Sequence, residues 1–70
     1  MKTGRYLHYK GNYYEVVGTA LHSETEEELV VYRSEKNEQL WVRPRKMFEE
    51  TILVEGKEVK RFTLISQFDK

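Results

Sequence analysis

The sequence predicts an all-β fold: a small SH3-like barrel of about five short strands with one short helical (3₁₀) turn. Three observations carry that expectation. Apolar residues recur with a period of two, the spacing at which an extended chain presents one face. Turn-forming residues separate these runs at short intervals, as in small all-β domains. A single proline-led stretch breaks the alternation. The chain has 70 residues, enough for one domain spanning 1–70, with an ordered core over about 4–65 because termini fray. Barrel closure would also hide the edges through which a small open sheet aggregates. An OB-type barrel ranks second, since it asks for more chain and a longer helix.

The elements follow in order. Lys10-Gly11-Asn12-Tyr13 places Gly-Asn at the centre of a two-residue hairpin, because both residue types tolerate positive φ. In the next strand Tyr14, Val16, Gly18 and Ala20 share a face, with Glu15 and Thr19 opposite. The acidic run His22-Ser23-Glu24-Thr25-Glu26-Glu27-Glu28 is a polar connection whose hydroxyls close local turns. Val30 and Tyr32 alternate with Val31 and Arg33. Ser34–Glu38 has no glycine and reads as a looser loop. Leu40 and Val42 then alternate with Trp41 and Arg43. Pro44 suits the first position of a helix, and Met47 and Phe48 fall on its face. Arg43–Glu49 is therefore read as one helical turn plugging an end of the barrel. Ile52 and Val54 oppose Leu53, Gly56 serves a second tight turn, and Phe62 with Leu64 closes the pattern. The expected core is Tyr14, Val16, Val30, Tyr32, Leu40, Val42, Met47, Phe48, Ile52, Val54 and Phe62.

Composition favours folding. Nine aromatic residues stand in the chain, whereas disordered segments are poor in them. A core at this length supplies only about 3–5 kcal/mol of net stability, so the aromatics matter. There are no cysteines, which removes disulfides and thiolate metal sites. Twelve Lys/Arg balance twelve Asp/Glu, unlike the basic charge of a simple nucleic-acid binder. No apolar run approaches the roughly 18 residues of a membrane span, and no apolar signal segment follows Met1-Lys2-Thr3-Gly4-Arg5. A soluble, cytoplasmic domain is expected.

Catalysis finds little support in the residues. Ser23 has His22 beside it, but neighbours on an extended chain point to opposite faces. The only aspartate is Asp69, near the end of the chain. His8 and His22 with a loop glutamate lack the four-ligand set of structural zinc, and the acidic run lacks the alternation of an EF-hand loop. No metal, no cofactor and no enzymatic activity are expected. Nucleic acid is the second reading. Arg43, Arg45 and Lys46 surround Trp41, and Lys57, Lys60 and Arg61 lie on the terminal hairpin; together they would make a basic patch beside a stacking platform.

The leading reading is a non-catalytic binding or assembly module with an unknown protein or peptide partner. If Leu40 and Val42 face the core, Trp41 and Arg43 lie outside, and these are the residue types most enriched at interface hot spots. The competing assignment puts Trp41 inside. Candidate recognition residues are Tyr6, His8, His22, Glu24, Trp41 and Arg43, with Arg45 and Lys46 as an electrostatic rim. Glu24 or another loop carboxylate is expected to accept a charge-assisted hydrogen bond from Arg43. Leu29-Val30-Val31-Tyr32 is apolar on both faces, and a symmetric homodimer through it would supply the missing cover.

Five ordered segments also carry a resemblance: Gly4-Arg5-Tyr6-Leu7-His8-Tyr9-Lys10-Gly11, His22-Ser23-Glu24-Thr25, Leu29-Val30-Val31-Tyr32, Leu40-Trp41-Val42-Arg43-Pro44 and Met47-Phe48. From Gly4 to Ile65 the chain resembles the small bacterial proteins of domain-of-unknown-function family 1653. It departs at Lys60, where a proline would be expected, and in Ser34–Gln39, which lacks the glycine often found there. The resemblance implies a compact β domain, usually standing alone in bacteria, with no established activity.

Overall fold

Strands form where the period-two runs lie. The computed structural model describes residues 1–68. In chain order the elements are β1 (Gly4–His8), β2 (Tyr13–Leu21), β3 (Glu28–Ser34), β4 (Leu40–Pro44), α1 (Arg45–Phe48), β5 (Thr51–Val54), β6 (Lys57–Lys60) and β7 (Phe62–Gln67). Five of the strands make one antiparallel sheet in the order β4-β3-β2-β1-β7, and β5 with β6 forms a separate hairpin. The SH3-like expectation is met in its all-β class, its short strands and its single helical turn. It is not met in closure, because β4 and β7 do not pair and the sheet keeps two edges.

One irregularity decides which side chains share a face. Tyr14 pairs with Ser34 and Val16 with Tyr32, but Gly18 pairs with Val31 and Thr19 with Val30. Val17 is thus the extra residue of a β-bulge, which resets the alternation. Tyr14, Val16 and Thr19 lie on the inner face, while Gly18 and Ala20, expected beside Val16, lie on the outer one. The inner face carries the core of Tyr6, Val16, Val30, Tyr32, Phe48 and Phe62, with half-buried Tyr14 packed against it. Five ring contacts have edge-on geometry within that group, including Tyr6 and Tyr32 on Phe48. The Phe48 and Phe62 rings stack in parallel at 4.0 Å.

Three expected core residues are exposed. Leu40 and Val42 are 54% and 59% exposed, and Met47 is 46% exposed. Tyr32 pairs with Trp41 and Val30 with Arg43, so Trp41 and Arg43 point to the inner face and Leu40 and Val42 to the outer. Both pairs alternate equally well; the buried partners on β3 settle the choice. Met47 loses its place because a single turn aims one side chain inward, and that one is Phe48. Ile52 and Val54 are half-buried, on one face of a hairpin that forms its own two-stranded sheet.

Turn geometry departs from expectation in the first hairpin and agrees with it in the second. β1 stops at His8, so the first hairpin loop has four residues, with Gly11 at φ 101°. The second is a two-residue turn with Glu55 at φ 51° and Gly56 at φ 79°, the I′ geometry that matches strand twist. The glycine-free loop after Ser34 is tightly closed rather than loose. Glu38 N–H donates to Ser34 O at 2.8 Å and Ser34 N–H to Gln39 O at 2.9 Å. α1 is α-helical rather than 3₁₀, because Glu49 N–H donates to Arg45 O, four residues back, at 3.0 Å. Pro44 ends β4 and caps the turn instead of opening it.

Candidate functional site

The open margin of the inner face, along β4, is where apolar and charged side chains meet water. A shallow recess of about 190 Å³ is lined by Tyr14, Tyr32, Trp41 and Arg43. Each wall comes from a register position: Tyr14 from β2, Tyr32 from β3 and the other two from the edge strand β4. Trp41 lies on the inner face yet stays 50% exposed, because no further strand lies beyond it. Arg43 places its guanidinium carbon 5.6 Å from the centre of the Phe62 ring, within cation–π range. Among the described residues Arg43 forms no ion pair.

His8 extends this surface. Its ring packs edge-on against Phe62 at 4.9 Å and Tyr14 at 6.2 Å, and tilts over Tyr9 at 4.6 Å. Its Nδ1 accepts a hydrogen bond from the Lys10 amide at 3.2 Å, so the neutral ring carries its proton on Nε2. Burial lowers the His8 pKa from its ordinary value, and the charges of Arg43, Arg61 and Lys10 lower it further. Three cations therefore converge on one aromatic cluster. Arg61 is partly neutralised by Glu50, 2.7 Å away; Lys10 sits 5.9 Å from the Tyr9 ring centre.

Of the predicted site residues, the structure brings His8, Trp41 and Arg43 together and separates the rest. Tyr6, a candidate recognition residue, is buried in the core; its hydroxyl donates to Lys2 O at 2.7 Å. His22 works as a local cap, its Nδ1 accepting from the Glu24 and Thr25 amides at 3.1 and 3.4 Å. It follows the Leu21–Glu28 pair, at the far end of β2 from Tyr14. The expected bond from Arg43 to Glu24 is absent among the described residues. The acidic loop is docked instead by Arg45, which pairs with Glu28 at 3.0 Å and Glu49 at 3.3 Å. Arg45 and Lys46 line a separate recess with Glu27, Glu28 and Glu49, so they form no rim around Trp41. In Leu29–Tyr32, Val30 and Tyr32 are buried on the inner face, and Leu29 and Val31 on the outer one are half-buried.

Tyr14 and Phe62 were legible only as core residues, and Lys10 and Arg61 only as loop charges. No spacing in the sequence links them; the β1–β7 pairing of His8 with Phe62 does. Among the described residues no three histidine or acidic side chains converge, and Asp69 lies outside those residues. No helix among them is long and apolar enough to cross a membrane.

Comparison with known proteins agrees with this architecture. No curated protein matches the chain. The crystal structure of a DUF1653 protein from Bordetella bronchiseptica superposes with a TM-score of 0.88 at 27% identity, covering 100% of this chain and 94% of that one. A family model described as protein of unknown function (DUF1653) matches residues 4–64. The match spans nearly the whole sheet, from β1 into β7, and the chain belongs to the DUF1653 family.

Proposed function

We propose that the domain is a non-catalytic interaction module of the bacterial cytoplasm, built on an opened SH3-like sheet, whose contact strand is β4. One observation carries the reading: Arg43, without an ion-pair partner among the described residues, stands beside half-exposed Trp41 at the mouth of an aromatic recess. Trp and Arg are among the residue types most enriched at interface hot spots. The recess, about 190 Å³, is smaller than the roughly 300–1,000 Å³ of small-molecule sites. It suits one side chain of an extended polypeptide, with a neighbouring carboxylate on Arg43. Panning a random peptide library against the wild-type domain and a folded Trp41→Ala, Arg43→Ala variant tests this. Sequences joining an acidic to an aromatic residue should be enriched on the wild type alone. Equal enrichment on both, or none, would remove the reading.

A second reading rests on the convergence of Arg43, Arg61 and Lys10 on His8, which supports weak binding of single-stranded nucleic acid by stacking and phosphate contact. Zero formal net charge and the Arg61–Glu50 pair weigh against it. Titration with a mixed-sequence oligonucleotide at low and high salt discriminates the two. Binding that collapses with salt favours nucleic acid, and no binding at low salt excludes it.

A further inference from the structure

We infer that β4 pairs with β4 of a second copy of this chain, antiparallel and centred on Val42, joining two sheets into one. The inference rests on the reading of β4 as the contact strand and names what meets it. Three observations support it, beginning with the two free edges. β7 is irregular, with a register shift opposite Arg5 and Tyr6 that displaces Ile65, and bulges of this kind blunt an edge. β4 runs without a bulge from Leu40 to Pro44, and its first three residues, Leu40 to Val42, are all at least half exposed.

Hydrogen-bonding phase comes next. Ser34 N–H donates to Gln39 O, which sets the alternation of the β3–β4 ladder. Trp41 and Arg43 therefore bond to β3, while Leu40 and Val42 direct their backbone groups outward; the Pro44 carbonyl, at the N-cap of α1, takes the first helical bond. In a pair centred on Val42, each Val42 exchanges both bonds with its counterpart, and Leu40 faces Pro44 of the second copy. Leu40 N–H can share that Pro44 carbonyl with α1, since a carbonyl oxygen has two lone pairs. The reverse bond has no donor, because proline lacks an N–H. It needs none: the Leu40 carbonyl already accepts from the Gln39 side-chain amide at 3.1 Å.

Side chains match in the same register. On the inner face Trp41 stands directly opposite Arg43 of the second copy, twice over, in the closely spaced type of pair. This gives the unpaired guanidinium an indole face. On the outer face Val42 meets Val42 and Leu40 meets Pro44, covering the side chains that the fold leaves most exposed on β4. Centring on Arg43 would oppose two like charges. Centring on Trp41 would set the two indoles against each other and each Arg43 opposite Gln39, away from an indole face.

A five-residue edge buries less than a standard interface of about 1,200–2,000 Å², so the dimer should be weak, with Kd on the order of 100 μM. Sedimentation velocity of the wild-type chain from about 10 μM to about 1 mM, a range that brackets that constant, should show the mean mass rising toward twice the monomer value. Val42→Lys, at an exposed position, should keep the fold by circular dichroism and abolish the rise. The chain has no cysteine, so Val42→Cys reports the register: Cα atoms of a hydrogen-bonded pair, about 5.5 Å apart, fit a disulfide. It should oxidise to a covalent dimer about 10-fold faster than Leu53→Cys, a control at a position 73% exposed, as an effective-concentration gain predicts. A wild-type monomer at every concentration, or equal trapping at both positions, would overturn the inference; faster trapping at Trp41→Cys would overturn the register. The broader reading fails separately, because a strict monomer that still enriches acidic–aromatic peptides keeps it, and a dimer that enriches none does not.

Discussion

His8 ties the surface to pH. It sits between Tyr14 and Phe62, and burial, followed by Arg43, Arg61 and Lys10, disfavours its charged form. In the unfolded chain the ring titrates near its ordinary value of about 6.5; in the folded one it titrates lower. Between those values the unfolded state binds more protons, so this contribution to stability is present above about pH 6.5 and is lost as pH falls through the folded value. The urea midpoint should therefore drop between about pH 7 and pH 5, and His8→Gln should flatten that drop. A variant as pH-sensitive as the wild type would place the effect elsewhere. Glu38 makes the opposite kind of residue-scale case. It holds φ at 59°, a left-handed conformation that costs a residue with a Cβ roughly 1–2 kcal/mol. Glu38→Gly should stabilise the domain by about 0.5–1 kcal/mol, after the added entropy of the unfolded chain is subtracted. Thermal melts of the two proteins side by side measure it.

At the scale of elements, α1 shows how little structure is needed to complete a core. Four residues cannot hold a helix by themselves. The turn persists because Phe48, 1% exposed, stacks on Phe62 and meets Tyr6 and Tyr32 edge-on. Phe48→Ala should cost about 3–5 kcal/mol, as much as a core of this size supplies, and circular dichroism should find the variant largely unfolded at room temperature. Met47→Ala, next door but 46% exposed, should change stability by less than about 0.5 kcal/mol. The contrast is the test, since helix propensity rises more for Phe48→Ala than for Met47→Ala and would by itself rank the two variants the other way. Gly4 shows the same economy on β1. It is buried at φ 156°, and a Cβ there would overlap the Ser66 carbonyl oxygen, so the β1–β7 crossing is open to glycine alone.

Stability in the whole molecule should be uneven. β1, β2 and β3 have neighbours on both sides and supply Tyr6, Val16, Val30 and Tyr32 to the core. The β5–β6 hairpin belongs to a separate two-stranded sheet whose best-covered residues are only half-buried. Local opening with few buried contacts costs little free energy. Amide exchange should therefore be slowest in β2 and β3, at rates set by global unfolding, and faster in β5 and β6 at all denaturant concentrations below the midpoint. Uniform protection across both sheets would show that the hairpin unfolds only with the rest.

What the amino-acid sequence determined by itself was local: strand content, the Glu55-Gly56 turn, the helical turn at Phe48, and the membership of Val16, Val30, Tyr32 and Phe62 in the core. These follow from dihedral preference and short-range periodicity, which need no knowledge of distant residues. Sides and neighbours were another matter. Leu40-Val42 and Trp41-Arg43 alternate equally well, and only pairing with Tyr32 and Val30 turned the second pair inward. The bulge at Val17 reversed Gly18 and Ala20 without leaving a mark on composition. Of the candidate residues, His8, Trp41 and Arg43 were brought to one surface, while Tyr6 went to the core and His22, Glu24, Arg45 and Lys46 to other contacts. The tertiary structure decided these outcomes because a face, an edge or a charge cluster is a relation between strands far apart in the chain. A one-residue change in register inverts it, and periodicity within a single strand carries no information about that register.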